Sequence, residues 1–363
     1  MTPETSALPR EAQETGRPAE SIIGGLIGLE RALYPREGIP PFATDRDLHV
    51  ANGRCAIWLL IDLLRPARVW VPSYLCREGI LEAIDPAATS HRFYEVNGDL
   101  SVPEDQWTNE ILPGDLVILI DYFGFSHDRA IAARAKEQGA WILEDACQAL
   151  LSSHVGAGAD FVLFNIVKWI GVPDGAILRF PESVTVPDGS LRMPSPSWWF
   201  KALQASVLRR EFDDGVPTRR WFELFRQTED TMPRGPFAMS ELSQMITRKG
   251  VDYSVVAERR RNNYQKLLNR LDAFALFPNL DPDVVPLGFP VRVDRRDAVR
   301  QRLFDQLIYP PVHWHLDGVV PRHFDESLRL SRTIMTLPCD QRYGEEDMER
   351  MAEIFLQSSE SPA

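Results

Sequence analysis

Trp141-Ile142-Leu143-Glu144-Asp145-Ala146-Cys147-Gln148 is an apolar run that ends on carboxylates. Lys168 follows in a second apolar stretch, Phe164-Asn165-Ile166-Val167-Lys168-Trp169-Ile170, which leads into Gly171-Val172-Pro173-Asp174-Gly175. A lysine amine and a carboxylate held near one another are what pyridoxal 5'-phosphate (PLP) chemistry requires. The amine forms a Schiff base with the aldehyde, and the acid keeps a proton on the pyridine nitrogen so that the ring accepts electrons. Apolar surroundings would favour the neutral, nucleophilic amine of Lys168.

Each residue has a plainer reading beside this one. A single lysine at a strand end more often snorkels to solvent. Asp145 would also serve as the N-cap of a following turn. Gln148, three residues beyond Asp145, would donate to the phenolic oxygen of the cofactor or be an ordinary loop amide. A third element, Asn52-Gly53-Arg54-Cys55-Ala56 before Ile57-Trp58-Leu59-Leu60, reads as a turn opening a helix. Helix-start amides bind phosphate, and glycine allows a close approach. A plain Asn-Gly turn would look the same.

The segments around these residues predict how they are held. Val69–Val71, Leu116–Ile120, Trp141–Leu143, Phe161–Phe164 and Ala176–Leu178 are short runs, apolar throughout, as in strands covered on both faces. Helical periodicity appears between them, as at 129–138. The alternation predicts an α/β lobe around a mostly parallel sheet, with ligands at the carboxyl ends of its strands. Residues 1–20 read as an acidic, flexible leader, 21–235 as a large lobe, and 236–363 as a smaller α/β lobe. The smaller lobe opens with one long helical region from Phe237 to Leu271, followed by a strand over 284–293.

The 363 residues suffice for two such lobes. A net charge of −12 argues against nucleic acid or an anionic membrane as partner. No apolar run approaches the ~20 residues that cross a bilayer, and no signal peptide is evident. Four scattered cysteines fit free thiols in a reducing cytoplasm.

With these residues set out, the chain resembles the DegT/DnrJ/StrS-type family of PLP-dependent aminotransferases, of the aspartate-aminotransferase-like fold (fold type I). The resemblance spans most of residues 20–357. It rests on Glu144-Asp145-Ala146-Cys147-Gln148-Ala149 and on Lys168 before Gly171-Val172-Pro173-Asp174-Gly175. Gly53-Arg54, Val71-Pro72-Ser73-Tyr74, Asp121-Tyr122-Phe123-Gly124 and the segments around Arg260, His313 and Leu337 support it. It implies a fold-type I aminotransferase and a ping-pong cycle carrying an amino group from glutamate or glutamine to a keto-sugar, usually on a nucleotide. Such enzymes build polysaccharides or secondary metabolites.

By this resemblance Lys168 holds PLP and moves the proton, Asp145 meets the ring nitrogen, and Gln148 touches the ring hydroxyl. Gly53, Arg54 and Cys55 offer amides to the phosphate, with Asn165 nearby. Tyr74, in preference to Cys76, stacks on the ring, while Tyr122, His313 and His315 face the substrate. A cytoplasmic homodimer is also implied.

Two departures stand out. Leu163 occupies the place of a phosphate-binding serine five residues before the lysine. Pro236-Phe237-Ala238-Met239 lacks an Asn-x-Arg that reaches the neighbouring subunit's cofactor. Loose cofactor binding is therefore expected. A ketone without a nucleotide, or a degenerate binding subunit, are the rival functions. No metal site is expected: His313-x-His315 has no third ligand at a readable spacing. His127 reads as structural, Trp198-Trp199-Phe200 as core or interface, and one of Arg259-Arg260-Arg261 as an anion contact.

Overall fold

The computed structural model describes residues 22–30, 39–85, 88–103, 106–187 and 191–360. The expected leader lies outside them. In chain order the strands are β1 (Ile23–Gly24), β2 (Asp47–Val50), β3 (Arg68–Pro72), β4 (Ser90–Tyr94), β5 (Leu116–Ile120), β6 (Trp141–Asp145), β7 (Phe161–Asn165), β8 (Ala176–Arg179), β9 (Phe289–Arg292), β10 (Ile308–Tyr309) and β11 (Ile334–Leu337). The helices are α1 (Gly53–Leu64), α2 (Arg129–Glu137), α3 (Pro196–Asp213), α4 (Arg220–Asp230), α5 (Glu241–Lys249), α6 (Tyr253–Leu271), α7 (Arg296–Asp305), α8 (Asp325–Thr333) and α9 (Glu345–Glu360).

Seven strands form one sheet in the order β2-β8-β7-β6-β5-β3-β4. The pairs from β7 through β4 are parallel, and β8 runs antiparallel to both its neighbours. Leu116 to Ile120 are buried without a break, as a strand covered on two faces requires. The register pairs Ile120 with Asp145 and Asp145 with Leu163. The ends of β5, β6 and β7 therefore meet at one edge of the sheet.

A separate core gathers Tyr264, Leu267, Leu271, Phe289, Val291, Leu303, Met335, Leu337, Met351 and Phe355 from the C-terminal part of the chain, with Ile23 from the N-terminal side. It packs α6, α7 and α9 on the antiparallel pair β9–β11.

Three elements differ from the sequence reading. The expected long helix from Phe237 to Leu271 is two helices. Gly250 caps α5 by donating to Ile246, and Asp252 accepts from Val255 to start α6. The 284–293 strand is confined to Phe289–Arg292, because Pro286 and Gly288 interrupt the run before it. The third is α8, over which the sequence reading places no element.

Candidate active site

Asp145 ends β6 and is buried. Its Oδ1 accepts the Cys147 amide at 3.0 Å, which fixes the carboxylate at the start of the following turn. The N-cap reading of Asp145 thus describes a real bond, and it leaves the second oxygen for another partner. Burial pushes the Asp145 carboxyl above its ordinary range, against the lowering pull of the Lys168 charge. A cationic group placed beside it would relieve that penalty.

Lys168 closes a short 3₁₀ turn (Ile166–Lys168) directly after β7. Its neighbour fixes it. Trp169 is fully buried, donates from Nε1 to the Cys147 carbonyl (3.1 Å), and accepts from Gln341 at its own carbonyl (2.7 Å). Arg260 stacks over the indole at 4.4 Å and donates to the Pro286 and Leu287 carbonyls. The central arginine of 259–261 is thus a buried structural tie, not an anion contact. Removing the Trp169 side chain would cost about 3–5 kcal/mol.

The amine itself departs from expectation. Burial lowers the Lys168 pKa, but the negative potential of Cys147, Cys76, Asp145 and Glu229 outweighs it, and the amine lies above its ordinary range. Cys147 and Cys76 are themselves raised by burial, Cys76 to about 11, so both are thiols at neutral pH. Asp145 and Glu229 are then the carboxylates whose charge favours the ammonium. Apolar neighbours in sequence did not yield an apolar environment in space.

Gln148 is buried, and its Oε1 accepts the Phe123 amide at 2.7 Å. That bond orients the side chain and leaves Nε2 as a donor. Tyr122 is also buried, donating its hydroxyl to the Tyr74 carbonyl.

Tyr74 does not take the stacking role. It is completely buried and packed edge-on against Tyr122 and obliquely against Trp314, at 5.8 and 5.5 Å. Cys76, two residues on and partly exposed, is the one whose thiol senses Lys168 and Asp145. An aromatic residue type suggested Tyr74; the path of the chain after β3 buries Tyr74 and leaves Cys76 partly exposed.

His313 joins the site. Its Nδ1 lies 2.8 Å from Thr336 Oγ1, and its ring meets Phe123 edge-on. Burial and the Lys168 charge lower its pKa to about 3, so it is neutral in ordinary conditions. His315 does not join it. It is exposed, and the charges that lower its pKa after burial belong to Arg296 and Arg300. The strand geometry that would have aimed both rings one way is absent, since 313–315 form a loop.

The start of α1 is brought to the same edge. A Cβ on Gly53 would lie 3.8 Å from Cys147 Sγ, 3.8 Å from Leu163 Cδ2 and 4.0 Å from Asn165 Nδ2. The amides of Gly53 and Arg54 have no acceptor within the helix. The Cys55 amide is not available, because the Asn52 side chain accepts it at 2.9 Å. The Arg54 guanidinium is also committed. It donates to the Glu78 and Met232 carbonyls and pairs with Glu82 at 3.2 Å. The Cys55 bond corrects the expected cradle of three amides. Asn165 Oδ1 is buried without a partner beside this turn.

The residues fit PLP at its ring: a buried carboxylate needing a cation lies in the field of a lysine, and an oriented amide donor follows the carboxylate three residues on. At the phosphate they offer two helix-start amides and the Asn165 amide, with Leu163 where a hydroxyl would help.

No protein-family model matches the chain, and no curated protein matches it in sequence. Solved structures do resemble it. TlmJ, an aminotransferase from Streptoalloteichus hindustanus, is 21% identical, with a TM-score of 0.63 over 86% of this chain and 85% of that one. DesI, solved in the presence of its TDP-sugar product, is 16% identical, with a TM-score of 0.62 over 86% and 81%. Spr1654 from Streptococcus pneumoniae, in its PLP form, is 15% identical, with a TM-score of 0.64 over 87% and 88%.

The fold is fold type I. The likeness extends across both cores, so the expected α/β class with a mostly parallel sheet holds for the described chain. Among the described residues no helix is long and apolar enough to cross a membrane, and all four cysteines are free.

Proposed function

We propose that this protein is a PLP-dependent aminotransferase of the DegT/StrS type that moves an amino group from glutamate or glutamine to a keto-sugar carried on a nucleotide. The observation that carries this reading is the convergence of Asp145, Gln148 and Lys168 beside the open start of α1. PLP, when bound, supplies the electron sink that lets an amino group leave one carbon and join another. Lys168 would hold the cofactor covalently and carry a proton at Nζ between carbon atoms. Asp145 would keep the ring nitrogen protonated, its own burial penalty offset by that charge. Gln148 Nε2 would donate to the phenolic oxygen, and Cys76 would lie against the ring. His313, neutral, would offer a hydrogen bond on the substrate side without competing for the donor's carboxylate.

The sugar and the nucleotide are supported by likeness to DesI, whose structure was solved with a TDP-sugar product. A cytoplasmic homodimer belongs to the same proposal. The test is an absorption spectrum of the purified chain with PLP, before and after glutamate, followed by a screen of keto-sugar nucleotide and free ketone acceptors. A band that bleaches with glutamate and is absent in Lys168→Ala supports the donor half-reaction. Turnover with free cyclitol or sugar ketones alone would replace the nucleotide-linked acceptor.

A second reading, a binding subunit without catalysis, rests on the committed Arg54 and on Leu163 at the phosphate end. Absence of any band with excess PLP would favour it.

A further inference from the structure

Asp145 points toward the site described above; Glu144, its neighbour on β6, points to the opposite face of the sheet. On that side Asp121 and His127 lie within reach of Glu144, and His154 stands against Asp121. Asp121 follows β5, His127 precedes α2, and His154 lies in the loop between β6 and β7. Ligand atoms of Asp121, His127 and Glu144 all lie within 4.8 Å of one another. Asp121 and Glu144 are 0% and 1% exposed, and the side chains of His127 and His154 are 6% and 2% exposed.

This cluster is incompletely satisfied. Asp121 Oδ1 takes the His127 amide at 3.0 Å and its Nδ1 at 2.7 Å, and Glu144 takes the Gly156 amide at 2.9 Å. Asp121 Oδ2 has no hydrogen-bond partner, and neither do the two ring nitrogens of His154. His154 Nε2 stands 3.5 Å from that same Asp121 oxygen. Two ligands about 2.0–2.1 Å from one tetrahedral ion stand roughly 3.3–3.4 Å apart. On its other side His154 Nδ1 is 3.6 Å from Asp283, where a carboxylate steadies a metal-bound imidazole. Arg129, the remaining nearby cation, spends an Nη2 donor on the His154 carbonyl.

We propose that Asp121, His127, Glu144 and His154 form a structural site for one zinc-class divalent cation behind the strand that carries Asp145. Two carboxylates and two neutral imidazoles leave the site neutral around a doubly charged ion. A mixed nitrogen and oxygen donor set suits zinc over magnesium or calcium, which take oxygen ligands. The ion would tie the β5–α2 turn and the β6–β7 loop to the back of β6.

The experiment is elemental analysis of the full chain, with PLP present, purified without chelator and then exposed to zinc and desalted. About one zinc per chain is expected, falling at least tenfold in His154→Gln and in His127→Gln and unchanged in Lys168→Ala. A strong chelator should lower the melting temperature of the wild type, and zinc should restore it. Cobalt(II) should give the visible bands of a tetrahedral centre without a thiolate charge-transfer band. This readout serves if the histidine variants fail to fold. Less than a tenth of an ion per chain after zinc exposure, zinc retained in both folded variants, or a cobalt–thiolate band would overturn the site. None of these readouts depends on transamination, so they stand apart from the proposed activity.

Discussion

At the ends of β6 and β7, Asp145 and Gln148 accept the Cys147 and Phe123 amides, and Lys168 is followed by the anchored Trp169. At the start of α1 two of the groups that could meet a phosphate are spent elsewhere. Cys55 gives its amide to Asn52, and Arg54 serves Glu78, Met232 and Glu82, while Leu163 faces Gly53. In the proposed PLP site the ring end is preorganised and the phosphate end is sparse. Chemistry that depends on the ring is therefore supported by this chain, while cofactor retention rests on few contacts.

The sharpest way to break the comparison is Lys168→Ala. Multiple-turnover transamination should fall by roughly 10²–10⁴-fold with the fold intact by circular dichroism. Retained turnover would remove the ring end from the chemistry. Asp145→Ala should lower kcat/KM by about a hundredfold, or ~2.7 kcal/mol, with a smaller change in PLP affinity; an affinity loss with kcat unchanged would reduce Asp145 to a binding contact.

The raised amine gives a pH prediction. The neutral form is the nucleophile, and it grows as pH rises toward a pKa above the ordinary lysine value. Capture of added PLP by cofactor-free protein should therefore speed up about tenfold per pH unit through neutrality and beyond. A rate that levels off near neutral pH would show that the ammonium is not held.

Leu163→Ser tests the phosphate end. A hydroxyl there should tighten PLP binding about tenfold by titration, while the protein loses about 2–4 kcal/mol from the emptied core position. No gain in affinity would mean that the phosphate does not lie beside β7. The smallest effect is expected of Cys76→Phe, which would give the ring an aromatic face worth about 0.5–1.5 kcal/mol of affinity. The same change at Tyr74, where a phenyl ring replaces a phenol inside a packed core, should leave PLP affinity unaltered.

Much of the site was legible because its signals are local. A carboxylate ending an apolar strand, a lysine after the next strand and an Asn-Gly helix start are each written in a few consecutive residues. Sequence proximity failed where a residue's environment is built by distant chain. Lys168 sits among apolar neighbours in sequence, yet Cys147, Cys76, Asp145 and Glu229, from elsewhere in the chain, raise its pKa against burial. Tyr74 and Cys76 were separated by the turn after β3, which buries one and opens the other. His315 was turned outward by a loop. His127 and His154 had no spacing that linked them to Asp121 and Glu144, since the pairing of β5 with β6 brings Asp121 and His127 to Glu144, and the β6–β7 loop brings His154 to Asp121.

The sequence by itself determined the α/β alternation, the strands and the residue types at their carboxyl ends, because hydrophobic period and turn chemistry act over a few residues. The tertiary structure alone decided which of those polar groups are free, which are already bonded, and what charge each one feels. Those properties depend on burial and on partners tens to hundreds of residues away, and no local pattern encodes them.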